Sequence, residues 1–206
     1  MKKFTVVDLF KYKSTRFITI LLSVVFCIIC MSFYAPSLML SEFDFDFFIN
    51  GLAIGVSQLI AYIGTFFIVE RARRKLLANI CFGVTFICAF TLIFVWDQGS
   101  NEEPSTAEQA ITMILIFLFQ LAISVEFTVF YVYENELYPT QARVIGTSIV
   151  SLIGEGVVIF AETFLDLCFE HDIPVMIIFA ALAGLCIGIN IQLPETFQKV
   201  PEELIQ

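Results

Sequence analysis

The fold of this chain is decided by the stretch Tyr133-Glu134-Asn135-Glu136-Leu137-Tyr138-Pro139-Thr140-Gln141-Ala142-Arg143. It contains three charged residues and a proline, and a long apolar run lies on each side of it. Proline disfavours helical structure at the residue before it, and threonine is a residue type that caps the start of a helix. We therefore predict that this stretch connects two membrane helices.

The composition is that of an integral membrane protein. Of the 206 residues, 59% are hydrophobic and only 15% are charged, whereas a soluble domain carries about 25% charged residues. Six apolar runs approach the roughly 20 residues that a helix needs to cross a bilayer, and backbone groups in lipid must bond within their own segment, which requires helices. The runs are residues 17–39, 49–69, 76–96, 111–133, 143–164 and 174–193.

The chain is therefore predicted to be an all-α membrane protein with three parts. Residues 1–16 form a cytoplasmic N-terminal segment, residues 17–193 a bundle of six transmembrane helices, and residues 194–206 a cytoplasmic tail.

The positions of the charges predict the orientation in the membrane. All 11 lysines and arginines lie in the N-terminal segment, in the loop 70–75, at Arg143 or in the tail, and the three opposite loops contain none. By the positive-inside rule both termini are cytoplasmic, and we expect the plasma membrane rather than an organelle. The opposite loops carry ten acids of a chain whose net charge is −9. Such a rim either concentrates cations or is simply solvated.

Three acids lie inside the predicted spans, without a lysine or arginine between the span ends to neutralise them. Glu126 is in the fourth span, and Glu155 and Glu162 would share one face of the fifth, two turns apart. An ionisable group near the bilayer centre costs about 3 kcal/mol on insertion scales, so such groups face a watery cavity or stay protonated. Glu126 is equally compatible with joining helices together, and Glu162 with reaching solvent at the outer end.

The polar residues predict which spans line a passage. They are Tyr34 in the first span, Gln58 and Tyr62 in the second, Gln120 and Glu126 in the fourth, and Glu155 and Glu162 in the fifth. The third and sixth spans have only weaker polar groups such as Asn79 and Thr85. We therefore expect spans one, two, four and five to line a path, and spans three and six to face lipid.

Small residues at helical spacing predict close packing between spans. They form the patterns Gly51-x-x-x-Gly55 and Ala180-x-x-x-Gly184-x-x-x-Gly188, which let helix backbones approach each other in membranes. Five of the six cysteines lie in apolar runs and Cys168 lies in a predicted polar loop, so no disulfide framework is predicted.

Three short motifs resemble those of major facilitator transporters. The motif Glu136-Leu137-Tyr138-Pro139-Thr140-x-x-Arg143-x-x-Gly146 resembles the loop between helices ten and eleven, and its Tyr-Pro-Thr form is most similar to the organic cation/anion transporter family. The loop Glu70-Arg71-Ala72-Arg73-Arg74 resembles the one between helices eight and nine, although it lacks a glycine and is one residue shorter. The tail Leu193-Pro194-Glu195-Thr196 resembles that after helix twelve. The resemblance covers nearly the whole chain but only helices seven to twelve of a twelve-helix fold.

The resemblance implies transport by alternating access, in which one six-helix half rocks against another. It also implies a cytoplasmic charge network, whose ion pairs would hold one conformation and break in the other. The alternative is that these charges only determine the orientation of the helices in the membrane. The network residues are Arg71, Arg73, Arg74, Glu136, Arg143 and Glu195.

Glu155 is the residue from which the substrate class is inferred. It lies 12 residues after Arg143, at the offset where organic cation members of the family carry an aspartate and anion members an arginine, so the resemblance implies cationic substrates. A carboxylate attracts an organic cation strongly in a low-dielectric site, and Tyr34 and Tyr62 could add cation–π contacts. The alternatives for Glu155 are proton coupling and helix packing.

The predicted function is transmembrane transport of small organic solutes, specifically organic cations, by the C-terminal half of a secondary transporter. The alternative is a non-transporting half-transporter that acts as a membrane assembly or regulatory protein. The chain lacks a histidine cluster, metal-ligand spacing, a phosphate loop and a serine elbow, so we predict no enzyme, catalytic residue, metal or cofactor. The predicted partners are the solute, the lipid bilayer, and an N-terminal transporter half or a second copy of the chain; nucleic acid is not among them.

Overall fold

The computed structural model describes residues 6–11, 13–39, 47–96 and 105–193. Its helices are α1 (Val6–Lys11), α2 (Lys13–Leu38), α3 (Phe47–Ile68), α4 (Arg74–Val95), α5 (Thr106–Leu137), α6 (Arg143–Val158), α7 (Ala161–Glu170) and α8 (Val175–Gln192). Six segments of these helices are long and apolar enough to cross a membrane, with α6 and α7 together forming the fifth. The predicted all-α class is confirmed for the described residues.

α5 is the central helix of the bundle. It packs against α2, α3 and α4, while α8 packs on α4 and α6 packs on α2. At about 1.5 Å per residue its 32 residues reach roughly 48 Å, so it extends beyond a hydrocarbon core about 30 Å thick. Because other helices surround α5, its polar side chains Gln120, Glu126 and Glu134 are all buried.

The C-terminal end of α5 corrects the prediction for the connecting stretch. The helix continues through Leu137, because no residue before Pro139 restricts the backbone. The last turns of α5 therefore carry Glu134 and Glu136, which the sequence placed in a loop. Only residues 138–142 form the connection, in which the Pro139 carbonyl accepts bonds from the N–H groups of Ala142 and Arg143.

Tyr138 joins three helices at this connection. Its side chain is buried, and its hydroxyl donates a hydrogen bond to Thr19 Oγ1 of α2 at 2.8 Å. Gly146 of α6 lies against the ring so closely that an added Cβ would be 2.6 Å from Cε1 of Tyr138. The tyrosine and the glycine of the motif are therefore a packing pair.

Close packing occurs at different glycines from those predicted. Gly51 and Gly55 would meet no atom within 4 Å of an added Cβ, so the expectation that they mark a helix contact is wrong for the described residues. Gly184 makes only an ordinary contact, 3.8 Å from Phe86. The close approach is made instead by Gly154 of α6, where an added Cβ would overlap the ring of Phe26 on α2.

The fifth span is interrupted by a break between Val158 and Ala161, where the N–H of Phe160 bonds to the Val157 carbonyl. Glu155 therefore lies on α6 and Glu162 on α7, and both side chains are exposed. The glycines at 154 and 156 lower helix stability just before the break. α7 continues to Glu170, so Cys168 is a buried helical residue rather than a loop residue.

The ends of α4 and α8 are fastened together by polar side chains. Lys75 Nζ donates hydrogen bonds to the carbonyl oxygens of Ile191 and Leu193, at 2.7 and 2.9 Å. Asn190 Nδ2 donates to Asn79 Oδ1 at 2.9 Å. A helix C-terminus has unpaired carbonyls and a partial negative charge. The Lys75 ammonium donates hydrogen bonds to such carbonyls of α8, and its positive charge offsets the partial negative charge.

We expect Lys75→Met to lower the thermal unfolding midpoint of the detergent-purified protein. The substitution removes two hydrogen bonds, each contributing about 1 kcal/mol, while the methionine keeps an apolar stem. The matched control is Arg73→Met, because Arg73 is exposed and pairs with no acid in the described part of the chain. Equal midpoints for the two variants would contradict a fastening role for Lys75.

Candidate functional site

Glu155 lies on α6 directly after Gly154, and the packing of Gly154 on Phe26 sets its position. The side chain is exposed on the bundle surface. Its Oε1 accepts a hydrogen bond from the Tyr131 hydroxyl of α5 at 3.2 Å. The two side chains therefore meet where α6 and α5 both approach α2.

Two further tyrosines extend from this contact along the bundle. Tyr34 of α2 lies within electrostatic range of Glu155, and Tyr62 of α3 lies within electrostatic range of Tyr34. They are 37% and 43% exposed, so their rings are accessible from outside the bundle. We name Glu155, Tyr34, Tyr62 and Tyr131 the carboxylate–tyrosine cluster. Spans one, two, four and five each contribute one residue to it.

Stacked rings between α2 and α5 hold the cluster in place. Tyr131 meets Phe26 edge-on at 5.4 Å between centroids and Phe127 at 5.3 Å. Phe127 stacks on Phe33 at 4.6 Å, and Phe33 meets the edge of Tyr34 at 5.1 Å. Such pairs stabilise by about 0.5–1.5 kcal/mol each beyond the area that they bury. The rings of Tyr131 and Tyr34 are thus held in one row of aromatic contacts.

The chemistry of the cluster is that of an anionic, aromatic surface. No lysine, arginine or histidine of the described residues forms an ion pair with Glu155. An uncompensated carboxylate at this depth is costly against lipid, so this face requires water, a cation or another protein surface. A carboxylate beside exposed tyrosine rings suits an organic cation.

The other predicted site residues lie apart from the cluster or at its edge. Glu126 is only 2% exposed and interacts with Cys81 of α4 and Cys186 of α8, so it does not meet Glu155 or an open cavity. This position fits the alternative role of joining helices. Gln120 is buried, and its side-chain N–H donates to the Phe33 carbonyl at 3.4 Å. Gln58 is half-buried on α3, one turn before Tyr62.

The cytoplasmic network is present in part. Nε and Nη2 of Arg74 donate to Oε1 of Glu136 at 3.2 and 3.1 Å, and Arg143 lines a shallow pocket beside Glu136. Arg71 and Arg73 are exposed and pair with no acid among the described residues. Glu195 lies outside the described residues.

Several residues near the site were missed by reasoning from the sequence. Glu134 was assigned to a loop, and Tyr131 was not distinguished from other aromatic residues of the fourth run. The available signal was their spacing: Tyr131, Glu134 and Tyr138 recur at intervals of three and four, which places them on one side of a helix.

Comparison with known proteins identifies the family. The model of the family described as "Sugar (and other) transporter" matches residues 3–204. The chain belongs to this transporter family. Its six spans form half of a major facilitator fold, as the motifs predicted.

This transporter-family chain has curated relatives in the organic cation/anion group. It is 27% identical to the solute carrier family 22 member 15-like protein of Xenopus tropicalis, over 98% of this chain and 40% of the relative. It is 26% identical to human solute carrier family 22 member 13 (97% of this chain, 34% of the relative). It is 25% identical to member 4 of Mus musculus (100% and 36%). The chain thus spans well under half the length of these relatives.

Proposed function

We propose that this chain forms half of a plasma-membrane secondary transporter for small organic cations, with Glu155 as the cation-binding residue. The observation that carries the proposal is the carboxylate–tyrosine cluster, an exposed carboxylate with tyrosines from three other spans. Membership of a transporter family supports the transport of organic solutes. Both termini are proposed to be cytoplasmic, since all 11 basic residues lie on that side.

Electrostatics favours a cation at Glu155. Two opposite charges about 4 Å apart attract by roughly 4 kcal/mol at an effective dielectric constant of 20. A cation over a tyrosine ring gains about 0.5–2 kcal/mol more. An anion would be repelled by the same carboxylate and would find no basic partner within the cluster.

A second half is proposed to cover the open face of the bundle. The spans of α3 and α6–α7 bury the smallest share of their surface within this chain, and Tyr34, Tyr62 and Glu155 are exposed. An N-terminal transporter half or a second copy of the chain would enclose the cluster, as alternating access requires. The Arg74–Glu136 ion pair is then proposed to hold one conformation and to break in the other.

The second candidate function is that of a non-transporting assembly partner or regulator. It is favoured by the arginine loop, in which Arg71 and Arg73 are exposed and form no ion pair with the described residues. Arginines that only set the membrane orientation of a non-transporting protein would be exposed in the same way.

Binding of a fluorescent styrylpyridinium cation to the protein in lipid nanodiscs tests the cation proposal. We expect Glu155→Gln to weaken binding at least about tenfold, which corresponds to 1.4 kcal/mol, because the amide removes the charge and keeps the shape. The matched control is Glu162→Gln, since Glu162 is an exposed acid on α7 outside the cluster. Equal affinity of Glu155→Gln and wild type would remove Glu155 from the site. Absence of binding and uptake in the wild-type protein would favour the assembly role.

A further inference from the structure

Glu134 is a buried acid with an unpartnered oxygen. It lies in the last turn of α5, its side chain is 1% exposed, and Oε2 has no hydrogen-bond partner among the described residues. Nothing in the charge network or in the carboxylate–tyrosine cluster uses it. We propose that Glu134 is a proton-binding residue whose protonation is coupled through Tyr131 to the occupancy of Glu155 by a cation. The coupling, but not the proton binding itself, rests on the proposed function.

The register of α2 against α5 places a second unpartnered group at the level of Glu134. Tyr138 bonds to Thr19, and Phe130 stacks on Phe26 at 4.8 Å between centroids. Glu134 lies one turn from each of these α5 residues, and Ser23 lies about one turn from each of their α2 partners. Ser23 Oγ is buried and bonds to no described residue. Two buried polar groups therefore lie at one level of the interface, and no hydrogen bond joins them.

The link to Glu155 runs along one side of α5. Tyr131 lies one turn before Glu134, interacts electrostatically with both Glu134 and Glu155, and donates its hydroxyl to Glu155. At the next turn, burial raises the pKa of Tyr138 to about 12; the bond to Thr19 opposes this shift and Glu134 adds to it. Glu134 is thus the acid between two tyrosines, one of which contacts the cation site.

Glu134 is not paired with a cation among the described residues. From α5 the groups that face it are the two tyrosines, Tyr131 and Tyr138, and from α2 the uncharged Thr19 and Ser23. From α6 the charged groups beside Tyr131 are Glu155, which accepts its hydroxyl, and Arg143, whose buried Nε bonds to no described residue. No lysine, arginine or histidine of the described residues forms an ion pair with Glu134. A buried carboxylate without a partner is costly, so the neutral acid is the form that this site accommodates.

The direction of the coupling follows from charge. A cation bound at Glu155 adds a positive charge to the neighbourhood of Glu134 and stabilises its carboxylate. The O–H bond of the carboxyl group then breaks, the proton passes to water, and the carboxylate remains. Because coupling between two binding sites is reciprocal, a bound proton must weaken cation binding equally. Cation affinity therefore rises with pH over the range in which Glu134 loses its proton.

Infrared spectroscopy of the protein in nanodiscs without any cation tests the proton site alone. Glu126 is a second buried acid with an unpartnered oxygen, so every spectrum is recorded in a Glu126→Gln background. In that background the protein with Glu134 is expected to show a protonated-carboxyl C=O band that disappears as pH rises and is missing from Glu134→Gln. The amide of glutamine keeps the size of the side chain, and Tyr131→Phe, which retains the acid, should keep the band. A titrating band that persists in Glu134→Gln, or no protonated carboxyl at any pH, would overturn the proposal.

Proton release on adding the styrylpyridinium cation, followed with a pH indicator in weak buffer, tests the coupling. The wild-type protein should release protons, and its dissociation constant for the dye should fall by about fivefold or more as pH rises, the lower end of measured couplings. Both effects should be lost in Glu134→Gln and reduced in Tyr131→Phe. Dye binding without proton release would overturn the coupling while leaving the cation site intact. A protein that binds no dye refutes the cation site and its coupling together, and the infrared band still decides the proton site.

Discussion

Gly154→Val is expected to give the largest loss of stability of any single substitution considered for this protein. The new side chain would enter the ring of Phe26, which is 0% exposed and stacked on Phe130. Phe26 cannot move aside because that ring and the rings of Phe127 and Tyr131 surround it. Overpacking of this kind costs about 1–3 kcal/mol. The measurement is the unfolding midpoint of the purified protein in detergent.

The matched control is Gly156→Val, two residues further along the same helix. An added Cβ at Gly156 meets no atom within 4 Å, so this substitution should leave the midpoint nearly unchanged. Since both variants place valine beside Glu155, the difference between them isolates the contact with Phe26. Equal losses would show that the α2–α6 contact is not close-packed at Gly154. Gly154→Val should also weaken cation binding, because it moves Glu155 away from Tyr131.

Reversing the charge of Glu136 is expected to have the second largest effect. In the wild-type protein two N–H groups of Arg74 donate to Glu136 Oε1, and the two side chains are only 11% and 31% exposed. A hydrogen bond to a charged group contributes about 1.5–3 kcal/mol when it is shielded from water, but both donors share one oxygen of a partly exposed Glu136, which lowers the contribution of the pair toward about 1 kcal/mol. Glu136→Arg removes these bonds and places like charges at the joined ends of α4 and α5.

The double variant Arg74→Glu/Glu136→Arg restores opposite charges and should recover part of the lost stability. Coupling energies between contacting residues are about 0.5–3 kcal/mol, measured here as the non-additivity of the unfolding free energies. Arg73→Glu is the control, because Arg73 is exposed and forms no ion pair with the described residues. Strictly additive effects of the two reversals would mean that the ion pair contributes nothing to stability.

The connecting stretch shows which features of the structure can be predicted from neighbouring residues alone. Pro139 marks the connection correctly, because proline restricts the residue before it whatever surrounds it. The same local rules place Glu134 and Glu136 in a loop, since the apolar run ends at Tyr133 and both acids follow it. In the structure, α5 continues through both residues to Leu137. Whether each is exposed or buried depends on α2 and α4, which are distant in sequence.

The glycine patterns illustrate the same limit. Gly51 and Gly55 have the spacing of a helix contact, yet the structure leaves both open, and Gly154 makes the close approach instead. Spacing can show that two glycines share a helix face. It contains no information about which neighbouring helix, if any, that face meets.

The sequence by itself determined the number of spans, their helical class and the motifs of the family, because hydrophobic length and backbone bonding in lipid are local requirements. Only the tertiary structure decided which intramembrane acid is enclosed and which is open. Glu126 and Glu155 are both acids within apolar runs, but α4 and α8 cover Glu126, while Glu155 stands exposed beside Tyr131. The direction in which a helical side chain points relative to its neighbours depends on how the helices pack, and packing is a property of the assembled bundle.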